Sequence, residues 1–194
     1  MPPGRVDDAA ITRLAMAAKA GDKEAATEFI RATQHGVYRF LAYVVNAREA
    51  EDLTQETFLR AMGSLRRFAG RSAARTWLMA IARRVAVDHV RSVVRRPRAA
   101  VVADWQSSVD SVAVESGFDE TVALTQLLDT LPADRREAFV ATQVLGLSYA
   151  EAAEVCDCPV GTIRSRVARA RADLAAAMTA DPDGDDRRHL RAIG

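Results

Sequence analysis

Residues 147–174, LSYAEAAEVCDCPVGTIRSRVARARADL, constrain this chain more tightly than any other stretch. Ser148 followed three residues later by Glu151 is a capping box, in which a hydroxyl and a carboxylate satisfy backbone N–H groups at a helix start. Ala152 and Val155 continue an apolar face. Asp157 stands between two cysteines where the chain must turn, and aspartate tolerates the left-handed backbone conformation such a turn can require. Pro159 suits the first turn of the next helix, where its missing N–H costs nothing. In that helix Ile163, Val167, Ala170 and Leu174 fall at i, i+4, i+7 and i+11, which makes one buried stripe. Ser165, Ala168 and Arg169 lie opposite the stripe, with Arg164 and Arg171 on one flank and Arg166 on the other. A capped helix, a tight turn and a second helix with a basic face have the form of a helix-turn-helix that enters the DNA major groove. Arginine suits that task, because its planar fork bonds guanine O6 and N7 together or clamps a phosphate. A solvated arginine-rich helix in an all-helical domain shows the same pattern.

The 194 residues suffice for one large core or two small ones. Glycine and proline are scarce and β-branched alternation is nearly absent, so the class is all-α. A net charge of +1 averages over segments of opposite sign, and local charge is what a phosphate backbone feels. Cys156 and Cys158 are too close for a disulfide framework and lack the further ligands of a zinc site. They read as turn residues in a reducing cytoplasm, and no metal or other cofactor is expected. No apolar run approaches a membrane span and the N-terminus lacks a signal peptide's apolar core, so a soluble cytoplasmic protein without membrane insertion is expected.

Taken in order, residues 1–6 read as disordered, and Asp7 or Asp8 can cap a helix carrying Ile11, Leu14 and Ala18 on one face. Gly21 and Asp22 separate it from a helix over 22–45 with Ala25, Phe29, Ala32, Tyr38, Leu41 and Val45 as core and a break signal at Gly36. Residues 47–67 form a third helix. Its inner face carries Ala50, Leu53, Thr57, Phe58 and Ala61, while Asp52, Gln55, Glu56 and Leu59 gather on the other side. A leucine framed by acids and an amide suggests a protein contact, although single exposed apolar residues are ordinary.

Residues 68–98 are the most basic part of the chain. Gly70 offers a loop and Ser72 a cap for a long helix whose buried face holds Trp77, Leu78, Ile81 and Val85. Arg84, Asp88, Arg91 and Arg95 recur at helical spacing, with Arg83 pointing elsewhere and Asp88 placed to brace neighbouring arginines. A basic helix led by a loop with an aromatic and small polar residues suits single-stranded nucleic acid, which needs cations for phosphates and a pocket for an extruded base. Pro97 stops that helix. Residues 99–117 read as a flexible linker with Val101, Val102 and Trp105 as anchors. Two small helical domains are therefore expected, 7–98 and 118–179, before a disordered tail over 180–194 that contains His189. In the second, Val122, Leu124, Leu127, Leu128 and Leu131 begin the core, and a helix over 132–145 supports the helix-turn-helix.

The segments AEDLTQETFLRA, RTWLMAIARRVAVDHVR, LPADRREAFVATQVLGLSYAEAAEV and CPVGTIRSRVARAR occur here in that order. Together they resemble the extracytoplasmic-function sigma factors, two-domain initiation factors of bacterial RNA polymerase. The resemblance runs from about Ala9 to Ala177. It implies that the first domain binds the polymerase core, whose β′ clamp helices meet Asp52, Gln55, Glu56 and Leu59, with the β subunit as a further contact. It implies that Phe68, Gly70, Arg71, Ser72 and Ala73 surround an extruded minus-10 base, with Arg84, Asp88 and Arg91 nearer the strand or the duplex edge. In the second domain it implies minus-35 reading by Arg164, Ser165, Ala168 and Arg169 and phosphate contacts by Arg166 and Arg171. An anti-sigma factor partner is also implied. Two positions depart from the family's pattern: Arg84 stands where asparagine is common, and Ala168 is small where some relatives carry a larger residue.

The competing reading is a dimeric operator-binding regulator, for which the helix-turn-helix alone suffices. The second basic surface in a separate domain argues for the initiation factor. An enzyme is not expected, since no nucleophile and base, metal cluster or phosphate loop is evident.

Overall fold

The computed structural model describes residues 7–95 and 118–180, and every regular element among them is helical. The expected linker with Val101, Val102 and Trp105, the stop at Pro97, the N-terminal residues 1–6 and the tail beyond 180 lie outside the described residues.

The first unit contains α1 (Asp8–Lys19), α2 (Lys23–Val44), α3 (Ala47–Ser64) and α4 (Ala74–Arg95). Short polar side chains start three of them. Asp7 accepts from the Ala9 and Ala10 N–H groups, Asp22 from Ala25, and Asn46 from Glu49. Helix α3 ends at Ser64, earlier than expected, and a 3₁₀ turn over Leu65–Arg67 leads into the loop.

Helix α2 runs unbroken through Gly36, contrary to the expected break. A Cβ at Gly36 would stand 3.3 Å from Met79 Cε, so the glycine lets α2 approach α4 closely. Its buried stripe is Ala25, Phe29, Thr33, Val37, Phe40 and Leu41. Ala32 and Tyr38, expected in the core, are exposed instead. Tyr38 lies about two and a half turns from Phe29 and so faces the opposite way, whereas 29, 33, 37 and 40 keep the helical period.

The second unit contains α5 (Phe118–Asp129), α6 (Ala133–Phe139), α7 (Tyr149–Cys156) and α8 (Val160–Ala180). The single helix expected over 132–145 is divided. Helix α6 passes into a π turn over Val140–Val144, closed by the Leu145 N–H donating to Val140 O at 3.0 Å, and Gly146 then takes φ +71°. The π turn widens the chain's last coil before α7 and commits Leu145 and Leu147 to the interior.

The two units share one contiguous core, from Ile11, Phe29 and Leu78 to Leu128, Val140, Ile163 and Val167. Helix α4 packs on α7 along the seam. Polar contacts cross it as well: Arg83 donates to Glu137, Arg75 donates to the Leu145 carbonyl, and the Thr76 hydroxyl stands 3.5 Å from Glu151 Oε1.

Candidate nucleic-acid and polymerase interface

The helix-turn-helix forms as its local chemistry dictates. Ser148 Oγ accepts from the Glu151 N–H at 3.2 Å and the Glu151 carboxylate accepts from the Ser148 N–H at 2.8 Å, which completes the capping box. Burial works to raise the Glu151 carboxyl, but the bonds to Ser148 and the nearby Arg75 outweigh it and hold it below its ordinary value. Asp157 ends α7 in the left-handed region at φ 50° and ψ 53°. Pro159 sits just before the first turn of α8, its carbonyl accepting from the Thr162 N–H at 2.9 Å. Cys156 closes α7 in the core, where burial pushes its thiol up to about 12. Cys158 is half-buried, and both thiols are free.

On α8, Ile163, Val167 and Ala170 are buried and Leu174 packs at the edge of the core. That leaves Arg164, Ser165, Ala168, Arg169 and Arg171 exposed. Arg171 is held in place by donation to Gln143 Oε1 at 2.7 Å. Arg166, expected to meet a phosphate, is engaged within the protein. Its side chain is only 25% exposed; Nε lies 3.1 Å from Asp134 Oδ2 and Nη1 donates to Cys158 Sγ at 3.7 Å. An arginine so engaged ties the turn and α8 to α6, because its charge is already matched inside the unit.

On α3, Asp52, Gln55 and Leu59 form an exposed face, and Leu59 is 70% exposed. Glu56 is half-buried and accepts from Arg60 Nε at 2.7 Å. The same guanidinium donates through Nη1 to Asp88 Oδ2 at 2.8 Å. Asp88 is thus braced by α3, where the sequence suggested neighbouring arginines of its own helix. Arg60 was missed because nothing in a sequence pattern relates positions so far apart.

The loop before α4 is built from below. Phe68 is buried with its ring centroid 4.9 Å from that of Trp77, so it supports the loop from the core instead of presenting a ring to the surface. Its carbonyl accepts from Lys19 Nζ at 2.7 Å. Gly70 takes φ +68°, a conformation open to glycine at no steric cost. Ser72 was expected to cap α4, but the Ala74 N–H at its first turn donates to Thr12 Oγ1 of α1 at 3.0 Å. Gly70, Arg71, Ser72 and Ala73 line an open groove together with α1. On α4, Arg84, Asp88 and Arg91 are exposed and border a narrow crevice faced by Glu154, Val155 and Asp157 of the second unit.

These are two separate surfaces, an arginine-bearing helix-turn-helix and a loop-and-helix face beside the exposed face of α3. Residues 29–96 match the family described as Sigma-70 region 2, and residues 121–174 match Sigma-70, region 4. The chain is 52% identical over 180 residues to the ECF RNA polymerase sigma factor SigC of Mycobacterium tuberculosis, covering 93% of this chain and 95% of that protein. It belongs to the ECF RNA polymerase sigma factors. The sigma factor is also 33% identical over 170 residues to the ECF RNA polymerase sigma-E factor of Escherichia coli K12, covering 78% of this chain and 85% of the relative. Among solved structures it resembles the sigma factor RpoE in complex with the anti-sigma factor NepR from Bartonella quintana. That match has a TM-score of 0.68 at 27% identity and covers 80% of this chain and 97% of the other. CnrH in complex with the cytosolic domain of CnrY matches with a TM-score of 0.65 at 27% identity, over 89% and 99% of the two chains. The sigma factor thus has the region 2 and region 4 units of promoter recognition and transcription initiation, and the operator-binding alternative is not favoured. Among the described residues no helix is long and apolar enough to cross a membrane.

Proposed function

We propose that this sigma factor docks on the polymerase core through Asp52, Gln55, Glu56 and Leu59, and reads the minus-35 duplex with the exposed face of α8. It then holds the melted minus-10 strand at the loop over 68–73 and at Arg84, Asp88 and Arg91. Arg164, Ser165, Ala168 and Arg169 supply base contacts in the major groove, with Arg171 on a phosphate. Arg166 acts by fixing the turn. The domain limits are 7–98 and 118–179, and the protein works in the cytoplasm as a polymerase subunit with no reaction of its own.

One observation carries the reading: an exposed arginine face on the region 4 unit coexists with a separate acidic face around Leu59 on the region 2 unit. An operator-binding regulator needs only the first. The complexes of RpoE with the anti-sigma factor NepR and of CnrH with the cytosolic domain of CnrY support an anti-sigma factor partner for this chain. Reconstitution with purified core polymerase tests the proposal, with specific runoff transcripts and permanganate-reactive thymines near the start site as the expected result. Strong promoter binding without polymerase, and no initiation with it, would overturn it.

A further inference from the structure

The groove beside the loop has two walls, and only one of them belongs to the segment already assigned to minus-10 DNA. It is an open trough of about 610 Å³ whose far wall is α1, through Ala9, Thr12, Arg13 and Met16, opposite Gly70 and Arg71. Three observations make this wall a fixed part of the loop's site. Thr12 accepts the N–H that starts α4, Lys19 holds the Phe68 carbonyl, and Met16 Sδ lies 3.8 Å from where a Cβ on Gly70 would stand. Both partners of the Thr12 hydroxyl are protein groups, since it also donates to Asp8 O at 2.7 Å. The Thr12 proton is therefore committed, so toward the groove Thr12 offers contact area and no donor. Met16 is 43% exposed although it sits on the packed side of the groove, and Arg13 is 72% exposed at its rim.

We infer that α1 is a nucleotide-binding wall, which holds the unpaired nucleotide following the base captured by the loop. The inference rests on the minus-10 reading of that loop. An unpaired base needs a polarizable surface to lie on and cations for its flanking phosphates. Met16, with Thr12 and Ala9 beside it, supplies the first, because a thioether packs favourably on an aromatic face. Arg13 and Arg71 on opposite rims supply the second. The weak ion pair of Arg13 with Asp7, at 3.9 Å between exposed groups, leaves the guanidinium able to exchange partners. Apolar contact and cations hold a base without reading its edges, so the α1 wall admits any base. Its contribution is to strand capture and not to promoter sequence.

The test uses the full chain in holoenzyme with core polymerase, and a short labelled single strand copied from the non-template strand of a promoter found by runoff transcription. Arg13→Ala is expected to lower the salt dependence of binding by about 0.7 in the log–log slope, the value for one phosphate contact on a single strand. Arg13→Lys should keep that slope. Met16→Ala should weaken binding about three- to tenfold at fixed salt. Duplex minus-35 binding and melting temperature should stay as in the wild type, which separates a contact from a folding defect. If Arg13→Ala and Met16→Ala bind as the wild type while Arg71→Ala weakens binding, the α1 wall is overturned and the loop's role stands. If Arg71→Ala is also without effect, the minus-10 reading of the loop has failed and takes this inference with it.

Discussion

Arg83 of α4 donates to the Glu137 carboxylate of α6, which joins the region 2 and region 4 units through a pair in their seam. The Glu137 side chain is 9% exposed and that of Arg83 25%. Burial raises the Glu137 carboxyl above its ordinary value against the opposing pull of Arg83. Removing one partner leaves the other charge poorly solvated. Arg83→Ala or Glu137→Ala should therefore cost about 2–3 kcal/mol, since the partial exposure of Arg83 lightens the penalty of a fully buried pair. Replacing both partners together by apolar side chains, Arg83→Met with Glu137→Leu, should recover most of it. Chemical denaturation of the wild type, the two single variants and the double variant checks this. A loss in the double variant equal to the sum of the two single losses would show that the pair is not coupled.

Leu59→Ala should weaken core binding at least tenfold, the effect of emptying one central apolar anchor at a protein interface. Since Leu59 is 70% exposed, the melting temperature should not move. Glu56→Arg is the more disruptive probe, because it also breaks the contact with Arg60 that braces Asp88. Fluorescence anisotropy with labelled factor distinguishes the two, and unchanged affinity in Leu59→Ala would remove this face from the interface.

Arg169→Ala and Arg166→Ala should fail in different ways. The first should cost roughly 1–3 kcal/mol at one base pair of the minus-35 site and leave stability alone. The second should lower the melting temperature by freeing Asp134, with a uniform loss across sequences. A panel of single-base promoter variants, read together with thermal melts, separates them.

Glu151 sets a pH dependence. Its folded-state carboxyl is held below the ordinary value of 4.5, so its stabilising contribution is fully present above that value and disappears as pH falls through the lowered one. Glu151→Gln should flatten the acid limb of the stability profile below about pH 4.5 while leaving the neutral region displaced by a constant loss. Denaturation midpoints measured from about pH 3 to 7 check the sign. A variant profile parallel to the wild type throughout would show that Glu151 does not titrate with unfolding.

The two thiols should differ in reactivity. Cys156, buried with its thiol pushed up to about 12, should resist alkylation in the folded protein, whereas half-buried Cys158 should react first. Mass spectrometry after timed iodoacetamide treatment reads the order directly.

What could be seen in the sequence was local. The Ser148 and Glu151 box, the left-handed Asp157 and the stripe of Ile163, Val167 and Ala170 each depend on neighbours within a turn or two, and each formed. Their spacing is set by helix geometry alone. The face of α2 was harder, because alanine at 32 and tyrosine at 38 are apolar enough to pass for core. Val37 and Phe40 won those places by their register with Phe29. Contacts made through the fold were illegible. Thr12 serving the start of α4, Arg60 holding Asp88 and Arg83 reaching Glu137 all join residues that no periodicity relates. Arg166 and Phe68 show the same limit at the site itself, since both have the right chemistry for nucleic acid and both are engaged inside the protein.

The crevice between α4 and α7 also carries a thermodynamic consequence for promoter affinity. Arg84, Asp88 and Arg91 face Glu154 and Asp157 there, so negative side chains already occupy the near field of the arginines proposed to meet the strand. A phosphate approaching those arginines meets the repulsion of Glu154 and Asp157, so strand affinity should rise in any state in which the two units have parted.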